Sequence, residues 1–307
     1  MKKQRWEKKG LILKASNGPK WMVSHLMVPT VEQIKGDLCR IYFCGRDPQN
    51  RSLIGYAEVD MKDPSKVVRF SKKPVLGLGP LGQFDDNGVT PSWIVNDKGK
   101  KYLYYIGWNK GLTVRMHLAA GLAVSEDDGL SFKRVVNVPI LDRIHTEPLI
   151  LNTAPCVLKE KGCWRMWYVS GIRWINKDLP EYNIKYAESK DGIVWNRRGV
   201  VCIDFKSSGE HALARPCVLK EDGIYKMWYS YKGRNYRIGY AESLDGISWQ
   251  RKDDAIDLDV SKKGWDSEMI EYAFVFNQGG VKHMFYNGNN YGEEGIGWAI
   301  CQDEKRG

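Results

Sequence analysis

The chain is predicted to be all-β and to fold as a five-bladed β-propeller with four antiparallel strands per blade. Three features of its 307 residues carry that expectation. The first is a repeat. Residues 159–195 contain KEKGCWRMWYVSG and then IKYAESKDGIVW, and residues 220–249 contain KEDGIYKMWYS and then IGYAESLDGISW. Fainter copies occupy 35–60, 96–132 and 277–300, so five units recur at a spacing of 57 to 64 residues. The second is alternation. YLYYIG, WRMWYVS, YKMWYS and HMFYNG carry aromatic residues with a period of two, which fits strands and not helices. The third is continuity. No Pro/Gly/Ser-rich linker separates the copies, so residues 1–307 are read as one domain, with blades starting near 28, 90, 154, 215 and 272.

The elements follow in order. Residues 1–24 form a leading strand or arm. Each unit then opens at a Pro (Pro29, Pro91, Pro155, Pro216; Ala273 in the fifth) with an apolar run such as PCVL, expected as a buried innermost strand. A polar turn, NDKGK, KEKG or KEDG, closes a hairpin with the aromatic second strand. A variable loop leads to the third strand, IGYAES or a relative. Asp191-Gly192 and Asp245-Gly246 then turn the chain into a fourth strand opened by Trp195 or Trp249.

Composition narrows the function classes. The 43% hydrophobic residues, twelve Trp and sixteen Tyr among them, supply a large core. Seven cysteines are scattered without a CxxC pair, which argues against zinc ribbons and redox motifs and for a reducing compartment. Basic residues near the N-terminus are not followed by a signal-peptide apolar stretch, and nowhere do eighteen apolar residues run together. A cytoplasmic protein with no membrane partner is expected. The net charge of +10 suits an anionic partner, but Lys and Arg are spread without a dense block, so no nucleic acid is expected. No ligand cluster points to a metal, and no cofactor is expected.

Antiparallel strands sort the residues into two faces. The SEDDGLSF segment at 125–132 resembles the Asp-box of sialidases, and with its shorter relatives SKDGIVW and SLDGISW it falls on the face away from the strand starts. Its Ser and Asp are expected to tie turn backbone. The other face collects the variable loops and the starts of the innermost strands. Carboxylates there are Asp85, Asp86, Glu147, Glu210, Asp266, Glu268 and Glu271, with Asp47 in a neighbouring loop. Arg46, Trp108, Arg115, Arg173, Trp174, His211, Arg215 and His25 surround them. Paired carboxylates suit glycosidic bond cleavage, Trp faces stack on sugars, and Arg holds carboxylate or phosphate. Arg215 immediately precedes a buried strand and so requires an anionic partner.

The repeated (Y/W)xMWYS and IGYAES-x-DGI-x-W pattern resembles the five-bladed propeller glycosidases: arabinanases, xylosidases, invertases and levansucrases, with the related mannoside phosphorylases. That resemblance implies Asp86 and Glu271 as the acid/base or nucleophile pair, with Glu210 and Asp47 in support. Their place around the same mouth marks His25, Arg46, Asp85, Trp108, Arg115, Arg173, Trp174, His211, Arg215 and Glu268 as expected substrate contacts. The usual three-carboxylate set is not reproduced, since Met27-Val28 precedes Pro29 and Asn152-Thr153-Ala154 precedes Pro155. A glycoside hydrolase working on a carbohydrate is the leading expectation. A phosphorylase or glycosyltransferase using a basic ring to hold phosphate is the alternative, with a sugar phosphate or nucleotide sugar as possible substrate. A non-catalytic sugar-binding propeller is the third.

Overall fold

The computed structural model describes residues 3–301, so the outermost residues of the expected 1–307 domain, two at the start and six at the end, lie outside it. Strand β1 (Gln4–Lys14) comes first. Four antiparallel groups follow. They are β2 (Ser24–Lys35), β3 (Leu38–Arg46), β4 (Ser52–Asp60) and β5 (Val67–Phe70); then β6 (Gly88–Asp97), β7 (Lys100–Lys110), β8 (Met116–Ser125) and β9 (Lys133–Arg134). Next are β10 (Leu151–Glu160), β11 (Cys163–Asn176), β12 (Leu179–Ser189) and β13 (Asn196–Ile203), then β14 (Ala212–Glu221), β15 (Ile224–Lys232), β16 (Tyr236–Ser243) and β17 (Gln250–Arg251). Short β18 (Ile256–Asp257) precedes β19 (Glu271–Gln278), β20 (Val281–Asn287) and β21 (Gly295–Cys301). Strand β1 pairs antiparallel with β21, so the chain's start supplies the outer strand that the last group lacks. The leading arm is therefore a structural strand.

The first strands of the groups pack in closed order: β2 on β6, β6 on β10, β10 on β14, β14 on β19, and β19 back on β2. Their prolines do not begin the strands, as the sequence suggested. They lie inside them, beside a bulge. Pairing slips between Met27 and Thr30, Pro91 and Trp93, Thr153 and Cys156, Ala214 and Cys217, and Glu271 and Phe274. A bulge leaves residues outside the hydrogen-bond ladder, which is where a strand tolerates a residue without an N–H. In four of the five groups the residue before the Pro or Ala is left-handed: Val28 (φ 55°), Ala154 (48°), Arg215 (54°) and Tyr272 (55°). Non-glycine residues hold such angles at a cost of roughly 1–3 kcal/mol each, and only where the surroundings over-determine them. Here they do. The Val28 N–H donates to Asn287 Oδ1 at 2.8 Å and the Tyr272 N–H to Ser230 Oγ at 2.8 Å, each from the neighbouring group.

A second device recurs in the second strands. Tyr105 donates to Asp85 (2.8 Å), Tyr168 to Glu147 (2.6 Å), Tyr229 to Asp253 (2.6 Å) and Tyr286 to Asp266 (3.1 Å). A cation completes each bolt: Arg134, Arg197, Arg251 and Lys8, at 2.7 to 2.8 Å. Phe43 stands at the corresponding ladder position of the first group, opposite Gly55, and has no hydroxyl to donate. Opposite Tyr105 sits Gly121, where a Cβ would come within 2.2 Å of the ring; the glycine is there to admit the tyrosine. The Ser-x-Asp-Gly turns are tied as expected. Asp191 accepts from the N–H groups of Ile193 and Val194, and Asp245 from those of Ile247 and Ser248. Their glycine carbonyls latch adjacent groups, accepting from Tyr104 at Gly192 and from Trp167 at Gly246.

Candidate functional site

The bulged strand starts converge on a cavity of about 350 Å³. Its floor includes Val28, Thr90, Ala154, Arg215 and Tyr272, one residue from each first strand. Its walls come from the loops and strand ends of the same face. They supply the cations Arg46, Lys110, Arg115 and Lys232, the aromatic Trp108, and a tyrosine wall of Tyr182, Tyr236 and Tyr291. The β11–β12 hairpin is longer than its counterparts, and its tip, Asp178 to Pro180, overhangs one side. The Arg115 N–H donates to Lys177 O at 2.8 Å and ties that tip to the β7–β8 loop.

Arg215 crosses the middle of the ring. One guanidinium nitrogen donates to Pro29 O (2.9 Å) and Thr30 Oγ1 (3.0 Å) on β2, and the group stacks over the Phe274 ring. Its Nε and Nη1 have no partner although the side chain is wholly buried. Burial depresses its pKa to about 10, so it is still charged at neutral pH. The sequence demanded an anionic partner for this arginine. None is found among the described residues, and two donors stay unpaired and shielded from solvent next to the cavity.

Glu271 is the complementary case. It is wholly buried, and neither carboxyl oxygen has a hydrogen-bond partner. Burial pushes its pKa well above the ordinary carboxylate range, with Lys232 opposing only in part. It lies behind the cavity lining, within electrostatic reach of Tyr182, Tyr236 and Tyr272. The Tyr182 and Tyr236 hydroxyls meet at 2.6 Å, and Lys232 donates to the Tyr291 hydroxyl at 3.1 Å. Desolvation that Lys232 offsets only in part favours the protonated form of this carboxyl, which is the form of a proton donor.

Other residues singled out from the sequence separate into those that line the cavity and those that do not. Arg46, Trp108, Arg115, His211 and Arg215 line it. Burial, then Lys232, lowers the His211 pKa and so favours its neutral imidazole. His25 is buried beside the cavity with Ser24 at 2.7 Å, and burial with Arg46 depresses its pKa to about 4. Asp86 accepts from the Gly82 N–H and from Asn109 Nδ2, both at 2.8 Å; it positions Asn109, which lines the cavity, without lining it itself. Asp47 accepts from the N–H groups of Gln49 and Arg51 and pairs with Arg51 at 2.7 Å; these bonds outweigh burial and hold its pKa low. Glu210 is held by Arg251 at 2.7 Å. Asp85, Glu147 and Asp266 are members of the tyrosine bolts. Arg173 pairs with Glu181 on the hairpin beside Trp174, and Glu268 is exposed. The expected ring of free carboxylates is thus absent, because long-range cations neutralise most of its members within the framework. Sequence reasoning passed over Lys110, Lys232, Asp178 and the tyrosine wall. Tyr272, beside Glu271 at a strand start, was the available signal for that wall. Among the described residues no cluster of His, Cys, Asp and Glu able to hold a metal occurs, and the seven cysteines are free.

No protein-family model matches the chain. Two curated relatives do. One is the uncharacterized protein MT1551 of Mycobacterium tuberculosis (strain CDC 1551 / Oshkosh), 40% identical over 97% of this chain and 99% of its own. The other is the uncharacterized protein Rv1502 of strain ATCC 25618 / H37Rv, 39% identical over the same shares. Solved structures of similar fold include a glycoside hydrolase (TM-score 0.77, 21% identity, 99% of this chain and 94% of that one). A thermostable family-43 glycoside hydrolase gives 0.64 at 17% identity over 96% and 99%. The β-1,2-mannobiose phosphorylase of Listeria innocua gives 0.72 at 12% identity over 95% and 94%. These likenesses establish a nearly all-β fold of the propeller type found in glycoside hydrolases and mannoside phosphorylases.

Proposed function

The chain belongs to the family of the two uncharacterized mycobacterial proteins, and from that membership and its propeller-type fold we propose that it is a carbohydrate-active enzyme that cleaves a glycosidic bond by phosphorolysis. We read the five antiparallel groups as five blades of one domain, with the cavity at the channel mouth. The observation that carries the reading is the pairing of one buried, unpartnered carboxyl, Glu271, with a cavity whose lining holds Arg46, Lys110, Arg115, Arg215 and Lys232 against a single carboxylate, Asp178. A hydrolase needs a second carboxylate to activate water. A phosphorylase does not, because the phosphate is its own nucleophile.

In this mechanism a phosphate dianion sits among the lining cations Arg46, Lys110, Arg115 and Lys232, with the charge of Arg215 beneath it. One of its oxygens forms a bond to the anomeric carbon as the bond to the leaving oxygen breaks. Glu271, behind the lining, delivers its proton to that leaving oxygen by way of the tyrosine hydroxyls of the wall. It recovers a proton from the monohydrogen phosphate as the sugar phosphate forms, so protons and charge balance. Trp108 offers a face for the sugar ring. Hydrolysis is the second reading, favoured by Asp178, the one lining carboxylate that could act as base.

Turnover of a panel of oligosaccharides and aryl glycosides, with and without phosphate, tests the proposal. Phosphate-dependent release of a sugar phosphate is expected, falling about 100-fold or more in Glu271→Gln, the usual scale of a lost general acid. In Arg215→Lys the phosphate KM should rise with folding retained. Equal turnover without phosphate would establish hydrolysis instead. No turnover across the panel with sugar binding intact would leave a binding protein.

A further inference from the structure

The face that carries the cavity also carries apolar side chains with nothing over them. Leu112 and Leu81 are fully exposed, and Val23, Ile175 and Ile172 are 64%, 49% and 44% exposed. Val23, Leu81 and Leu112 belong to loops, and Ile172 and Ile175 to the far end of β11, so that three consecutive groups contribute. The Val23 N–H donates to Arg46 O at 2.8 Å, Asn109 reaches Gln83 O two residues from Leu81, and Arg115 is tied to Lys177. These links place the five around one side of the mouth. Of the remaining large exposed apolar residues, Leu130, Val194 and Leu244 lie singly in separate Asp-Gly turns, Val68 and Val201 on outer strands and Val138 alone in the β9–β10 loop, as is ordinary for a protein surface.

Charge gives the rim its direction. Lys20 precedes Val23, Lys110 and Arg115 flank Leu112, and Lys177 follows Ile175. All four cations are exposed. Apolar tips interleaved with exposed cations are the composition of an interfacial surface, in which the apolar groups enter the headgroup boundary and the cations meet anionic headgroups. The chain's +10 charge acts in the same sense at longer range.

We propose that this rim docks the protein on an anionic membrane surface, mouth downward, so that the cavity meets a saccharide borne at that surface. The docking does not depend on the reaction; only the membrane-borne saccharide rests on the proposed function. Docking is compatible with the finding that no helix of the described residues is long and apolar enough to cross a membrane, because lying on a bilayer and spanning it are separate properties. It departs from the expectation of no membrane partner.

Co-sedimentation of the full chain with phosphatidylglycerol-containing vesicles and with pure phosphatidylcholine vesicles tests it. Binding to the anionic vesicles only is expected, weakening as salt rises. Leu112→Asp combined with Leu81→Asp should lower the bound fraction about tenfold or more, and Lys20→Glu with Lys177→Glu similarly, each cation contributing a severalfold factor. Turnover of a small soluble substrate should be unchanged in Leu112→Asp/Leu81→Asp. Equal binding to both vesicle types, no binding, or binding indifferent to these substitutions would each overturn the proposal. So would concentration-dependent self-association abolished by the same two leucine changes, which would assign the rim to a second copy of the chain. Loss of turnover on every soluble glycoside with vesicle binding intact would count against the phosphorolysis and leave the docking standing.

Discussion

Glu271 and Arg215 sit on adjacent first strands and share one peculiarity: each is buried and each lacks the partner that burial demands. An unpaired buried carboxyl opposes folding once solvent would ionise it. The sign follows from proton counting. The folded state keeps the Glu271 proton to a higher pH than the unfolded state does, so stability falls as pH rises above the ordinary glutamate value of 4.5 and goes on falling until the raised folded value is passed. Glu271→Gln removes that loss. Its melting temperature should therefore exceed that of the native protein at pH 8 by more than at pH 5, while its turnover collapses. A variant gaining stability and losing activity together is the signature of a residue kept for chemistry. The bolts behave oppositely. Glu147 is satisfied by Tyr168, Arg197 and Lys185, so Glu147→Gln, which leaves Arg197 without its charge partner, should cost about 3–5 kcal/mol by chemical denaturation. Any glycoside turnover should survive it at temperatures where the variant stays folded.

At the scale of elements, the alternating aromatic strands, the polar turns and the Asp-Gly turns were legible because each is local: period two, turn chemistry and apolar runs act within a few residues. The carboxylates were not. Asp85, Glu147, Glu210 and Asp266 read as free acids at strand starts, yet their cations come from 49, 50, 41 and 258 residues away, and no local rule names those partners. Glu271 was legible by place, two residues before Ala273, though not by its isolation. The bulges were hidden for a related reason: Pro29, Pro155 and Pro216 mark them, but a proline also marks a strand start, and only pairing across the strand decides. The outer strand of the last group was missing from its own segment, and β1 supplies it. Leu13 on β1 is fully buried, so Leu13→Ala should cost about 2–5 kcal/mol despite lying near the chain's start. A shift in denaturant midpoint of ordinary surface size would contradict β1 as part of the core.

Over the whole molecule, framework and site divide the charged residues between them. The outer parts of the groups neutralise their acids with bolts and surface pairs, and the ring's centre keeps one unpartnered buried carboxyl and several cations without a carboxylate partner. The left-handed residues at Val28, Ala154, Arg215 and Tyr272 place the same strained bulge around the cavity floor, which is where strain is expected if it aims side chains at a ligand. The protonated state of Glu271 is the point on which this division turns. The most direct measurement is the infrared difference spectrum between the native protein and Glu271→Gln at neutral pH, read in the carboxyl region. A protonated carboxylic-acid band is expected in the native protein, absent from the variant and giving way to a carboxylate band as pH is raised further. A carboxylate band already present at neutral pH would contradict it, and with it the assignment of Glu271 as the proton donor.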